Sequence, residues 1–146
     1  MWAAKDNGKD VSWKGAIKFC SKSRLAGYTD WRMPNMDEVQ AIYDKNAESP
    51  GLMGAKRYHN IGPATWHIKG GLFITGDQWT TLQRLDDRGK PSGYVYYFDF
   101  NEGRGDNDPT GWPYSYAGRR VLCVRGPEAF PNHTTTNFRP IKTESH

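Results

Sequence analysis

Apolar residues recur along this chain with two different spacings, and the change from one to the other divides it. Trp13, Ala16, Ile17 and Cys20 stand at i, i+3, i+4 and i+7, which predicts an amphipathic helix that Ser12 can cap and Gly27 can close. Lys14, Lys18 and Lys22 fall four apart, on the side away from that stripe. A second helix is expected after Asn35, burying Met36, Val39, Ile42 and Tyr43 and fading by Asn46. Farther on the period shortens to two. Tyr94, Tyr96, Phe98 and Phe100 alternate with Val95, Tyr97 and Asp99, the pattern of a strand with one wholly aromatic face. Leu72–Ile74, continuing loosely to Gln78–Leu82, and Arg120–Arg125 are the other strand candidates.

The connections are as informative as the elements. Residues 47–71 carry Pro50, Gly51, Gly54, Gly62, Pro63 and Gly70 without periodicity, so a long folded loop anchored by Trp66 and Ile68 is expected. Asp86 to Gly93 is a turn signal between two strands. After Gly126 the composition shifts to Pro, Thr, His and Asn, which predicts a weakly packed tail over 127–146 behind a domain over 1–126. The expected fold class is α+β: two helices packed on a small antiparallel sheet, with long loops.

The densest stretch is Gly27 to Glu38. Tyr28 and Trp31 are apolar bodies with polar tips, suited to the edge of a core. Asp30 and Arg32 flank Trp31 and are expected to pair with each other. Pro34 drives Met33 into an extended conformation, and Asn35 with Glu38 three residues on reads as a capping box. Nothing in this stretch is chemically reactive.

Composition narrows the class. The chain has 146 residues, enough for one domain with a real core, and it is rich in Trp, Tyr, Phe, Gly and Pro. No apolar run reaches membrane-spanning length and no secretory signal opens the chain, so membrane insertion is not expected. The net charge is +4, with ten basic against seven acidic residues in 1–62 and ten against nine in the remainder, so neither half is strongly basic. Nucleic acid is disfavoured because no Arg/Lys cluster has stacking aromatics between its members. The Lys14/Lys18/Lys22 row is either a solvated face or a contact for an anionic polymer such as an acidic or sulfated glycan. Cys20 and Cys123 belong to no CxxC pair, and His59, His67, His133 and His146 lack zinc-ligand spacing. The two cysteines are either a disulfide closing most of the chain in an exported protein or two buried free thiols.

The order of these elements resembles the C-type-lectin-like fold, and specifically the Lcl C-terminal domain family of bacterial surface proteins, a fold related to that of the formylglycine-generating enzymes. The residues that carry the resemblance are Met1-Trp2, Trp13 with Ala16 and Cys20, and Leu25-Ala26-Gly27-Tyr28. Asp30-Trp31-Arg32-Met33-Pro34-Asn35 with Glu38-Val39 follows, where the family usually has Leu and Thr in place of Met33 and Asn35. Gln78-Trp79-Thr80-Thr81, Gly93 to Gly103, and Val121-Leu122-Cys123-Val124-Arg125 match in the same order. The resemblance covers roughly 1–126. It implies a Cys20–Cys123 disulfide, Trp31 as core architecture, and surface adhesion with glycan binding as the activity.

Lectin-like folds commonly hold ligands at the end of the domain where residues 101–116 lie. In that stretch Trp112, Tyr114 and Tyr116 are candidates to stack on sugar rings, and Asp106, Asn107 and Asp108 to bind hydroxyls. Asp106, Asp108, Thr110 and Gly111 match the first half of a calcium loop, but position twelve falls on Ala117, so no cofactor is expected beyond a weak calcium site. Arg104-Gly105-Asp106 spells the integrin tripeptide, a match that chance readily supplies. The expected activity is non-enzymatic recognition of a glycan or acidic polymer by a secreted or cell-surface domain whose signal lies outside this chain. The alternatives are a diversified receptor-type lectin-fold protein that binds protein ligands, and an enzyme related to formylglycine generation.

Overall fold

Both helical patterns become helices, each started by a side chain read from the sequence. The computed structural model describes residues 1–53, 62–110, 118–129 and 135–136. Helix α1 spans Trp13–Lys22, and Ser12 begins it by accepting the Gly15 amide at 3.0 Å. Ala16 and Cys20 are buried and Trp13 is half-buried, while Ile17 is exposed instead of joining the core. The apolar stripe is therefore narrower than its spacing suggested. Strand β1 is the pair Trp31–Arg32, and helix α2 follows at Met36–Ala41. Asn35 and Glu38 form the expected capping box, with bonds of 2.8 and 2.9 Å. Helix α2 stops before Ile42 and Tyr43, which pack against the core from beyond its end.

Residues 47–71 are not a loop throughout. Strands β2, Ser49–Met53, and β3, Gly62–Trp66, pair antiparallel in register from Ser49↔Trp66 to Met53↔Gly62. The two prolines that argued against strands are tolerated because a two-stranded ribbon leaves half its backbone groups without a ladder partner. Trp66 and Ile68 are fully buried, as expected.

The main sheet contains β4 (Asp77–Leu85), β5 (Pro91–Asp99), β6 (Arg104–Pro109) and β7 (Arg119–Arg120) in the order β6-β5-β4-β7. Strand β8, Val124–Arg125, pairs instead with β1, and β9, Thr135–Thr136, runs parallel to β4. Two expectations change here. Leu72–Ile74 makes only an isolated bridge, Lys5↔Phe73, and the Arg120–Arg125 strand is broken in two. The break lets Val121–Cys123, all buried, give their backbone groups to Ala3 and Asn7 of the amino-terminal segment. Strand β5 is buried on both faces from Val95 to Asp99, so its aromatic alternation understated its burial.

Strand β4 carries a bulge. Its pairing with β5 jumps from Trp79↔Tyr97 to Gln83↔Val95, which leaves Thr80 and Thr81 free to bond elsewhere. The Thr80 carbonyl accepts the Trp13 indole N–H at 2.8 Å, and the Thr81 amide donates to Pro34 at 2.9 Å. Helix α1 and the junction before α2 are thus both fastened to one irregularity of the sheet.

Charges around the junction pair differently from the expectation. Arg32 forms a two-pronged bond with Glu38 at 2.8 and 2.7 Å, while Asp30 pairs with Arg125 at 2.8 and 3.1 Å. Pairing of β1 with β8 sets Trp31 opposite Arg125 and brings the Arg125 guanidinium to Asp30, while the capping box turns Glu38 back toward Arg32. Glu38 also accepts the Ala129 amide at 3.0 Å, and Arg32 donates to the Gly126 and Pro127 carbonyls. Cys20 and Cys123 are disulfide-bonded, Cα to Cα 5.6 Å, closing a span of 103 residues.

Burial alone would raise the Glu38 pKa, but Arg32 and the amides of Asn35 and Ala129 outweigh it and hold the carboxyl below its usual value. A depressed folded-state pKa contributes stability above the unfolded value, and that stability is lost as pH falls through the folded value. Urea unfolding at successive pH values should show a drop below about pH 4.5 that Glu38→Gln flattens. At neutral pH the same substitution should cost about 2 kcal/mol, less than for a fully buried pair because the Arg32 side chain is 26% exposed. Reducing the disulfide, or replacing both cysteines by alanine, should cost ~4 kcal/mol in the same assay if the bond acts by restricting the unfolded chain.

Candidate functional site

Of the sugar-contact residues proposed from sequence, the structure places three on a strand. Asp106, Asn107 and Asp108 lie in β6, opposite Tyr97, Tyr96 and Val95 of β5. The stretch 101–116 is therefore part strand, and the Arg104-Gly105-Asp106 tripeptide is extended, with the Gly105 backbone against the Met36 side chain. Asp106 Oδ1 accepts the Asn107 amide at 2.8 Å. Asp108 pairs with Arg119, a buried guanidinium whose other amino group is 3.6 Å from Asp77. That guanidinium lies 3.7 Å over the Tyr97 ring, and Trp79 meets the same ring edge-on at 6.1 Å. Burial pushes the Tyr97 phenol upward, so it stays neutral. Asp108 thus balances a buried cation inside the sheet. Trp112, Tyr114 and Tyr116 lie outside the described residues.

Helix α1 presents the second candidate. Lys14, Lys18 and Lys22 are all exposed, opposite the buried Ala16 and Cys20. A rise of about 1.5 Å per residue spreads them over ~12 Å. The helix contains no acidic residue, and among the described residues none of the three lysines has a carboxylate partner. Nearby acids are engaged elsewhere: Asp6 accepts bonds from Thr75 and Gln78, and Asp10 pairs with Arg120. On one flank Lys18, Phe19, Lys22 and Ser23 shape a shallow depression, and the Phe19 ring is 42% exposed.

On the other flank is a groove that the sequence did not reveal. It encloses about 390 Å³ between α1, β1 and the β4 bulge. Trp13 and Ile17 form one wall, Trp31 and Met33 another, and Thr81 and Gln83 contribute from β4. The Trp13 and Trp31 indole N–H groups donate to the carbonyls of Thr80 and Leu25, which fixes both rings. The Thr81 hydroxyl, shielded from solvent, finds no partner among the described residues. The signal for this groove was weak: it depends on the register of β4 around Thr81, which no local pattern announces.

The remaining candidates do not converge on chemistry. His67 contacts the Ala47 carbonyl through Nδ1, and His59, His133 and His146 lie outside the described residues. Among the described residues no three His, Cys, Asp or Glu side chains come together as a metal ion would need. No helix among them is long and apolar enough to cross a membrane.

The geometry that dominates residues 1–125 is the Trp31–Arg32 strand, the capped α2 and a disulfide from α1 to the last strands. The sequence profile of the Lcl C-terminal domain matches that same span, residues 1–125. Neither a curated protein nor a solved structure gives a significant match. With most of its length matched in order, the chain belongs to the Lcl C-terminal domain family.

Proposed function

We propose that this is a non-enzymatic binding domain of C-type-lectin-like architecture, displayed outside the cell, that holds an anionic polymer along α1. An acidic or sulfated glycan is the ligand class. One observation carries the reading: three exposed lysines on one helix face, without counter-charges among the described residues. Unpaired like charges in a row gain most from a partner that supplies several anions at matching intervals, as a linear polyanion does. The exposed Phe19 ring beside them offers an apolar surface for the same chain.

The Cys20–Cys123 bond supports display in an oxidising compartment and a role without catalysis, since both cysteines are committed to it and no thiol is free. A thiol nucleophile of the formylglycine-generating kind would require that bond to open. The Asp106 and Asp108 carboxylates are already engaged within the sheet, which moves the weight of the reading from β6 to α1.

Binding to immobilised heparin, measured as a function of salt, tests this. Wild-type affinity should fall steeply with ionic strength. Replacing Lys14, Lys18 and Lys22 together by glutamine should weaken binding about 3- to 140-fold, at ~0.2–1 kcal/mol for each exposed charge, and flatten the salt dependence. Unchanged affinity in the triple variant would sink the proposal.

A further inference from the structure

Beside the lysine row, we infer a chemically different subsite: the groove between α1, β1 and the β4 bulge takes an uncharged pyranose ring of the bound glycan. The inference rests on the polyanion reading for the identity of the polymer, and on the groove itself for the ring. Its volume of about 390 Å³ lies at the lower end of small-ligand sites, the size class for one sugar unit rather than an extended chain.

The lining decides the chemistry. Trp13 and Trp31 have turned their only donors to backbone carbonyls, so they present carbon to the groove, and Ile17 and Met33 extend that apolar surface. Such walls suit the C–H face of a sugar ring. Arg32 reaches the groove, yet four of its N–H groups already serve Glu38, Gly126 and Pro127. Glu128, also at the rim, adds a negative charge. A sulfate or carboxylate therefore finds no uncommitted cation here, whereas the neighbouring face of α1 offers three.

What remains polar fits hydroxyls. The Gln83 amide offers a donor and an acceptor, and Thr81 carries a hydroxyl without a partner among the described residues. A rotation about χ1 carries that hydroxyl to another staggered position, where a sugar hydroxyl in the groove can bond it. Ser21 and Ile17 line the groove while each stands three residues from a lysine of the row, Lys18 and Lys14 respectively. One glycan chain can thus place a ring in the groove and its acidic groups on α1.

The test is a titration of the full chain with a heparan sulfate tetrasaccharide that carries one unsulfated N-acetylglucosamine ring among charged units, following the indole N–H resonances of Trp13 and Trp31. Both should shift along one saturable isotherm. Thr81→Val should weaken binding at least fivefold at every salt concentration while leaving Tm unchanged or raised, a combination that a purely structural threonine does not give. Binding with unmoved indoles, or with wild-type affinity in Thr81→Val, overturns the subsite and leaves the lysine reading standing. If the tetrasaccharide does not bind, the lysine reading fails. Neutral cellotetraose then decides the groove: a saturable indole shift lost in Thr81→Val supports it, and no shift overturns it.

Discussion

The Glu38 carboxylate is the point on which the described structure turns. Its two oxygens accept from both terminal nitrogens of Arg32, from the Asn35 amide and from the Ala129 amide. Removing an ionised carboxyl from water costs several kcal/mol, and one partner would not offset it. Four donors from three residues do. The same arrangement fixes Arg32, which then holds the Gly126 and Pro127 carbonyls, so β1, α2 and residues 126–129 are positioned together. The wall of the groove formed by Trp31, Arg32 and Met33 follows from this, because that strand cannot shift without breaking the set.

Local features of this assembly were legible in the sequence and long-range ones were not. The capping box of Asn35 and Glu38 needs only residues three apart, and both the box and the Ser12 cap form as read. The disulfide came from the family resemblance, since spacing leaves two cysteines a hundred residues apart undetermined. The partner of Arg32 was not legible because it depends on the first turn of α2, which brings Glu38 back, and on β8, which supplies Arg125 to Asp30. The β2–β3 ribbon leaves no sequence signal because Pro50 and Pro63 argue against strands, yet a two-stranded ribbon tolerates both. The Asp108–Arg119 pair was not legible because no sequence pattern shows that a guanidinium eleven residues later is buried beside that carboxylate. The groove was hidden for the same reason, since the bulge at Thr80 and Thr81 exists only in relation to β5, Trp13 and Pro34.

Helix α1 has a divided role that its composition explains. Its inner face is held by Cys20 in the disulfide and by Trp13 on the β4 bulge, so it is anchored near both ends. With the backbone fixed, its outer lysines are a fixed-spacing array rather than three independent charges. Such preorganisation lowers the ordering cost of meeting a repetitive polymer, leaving mainly the side-chain rotamers to be restricted.

Strand β6 has a further consequence at one edge of the main sheet. Its outward Asn107 amide is occupied by the neighbouring Asp106 side chain, charged residues alternate along it, and it ends in Pro109. An edge built this way offers little template for another chain to add a strand. Copies held at high local concentration can therefore remain separate folded units, meeting through their side chains rather than by fusing sheets into fibrils.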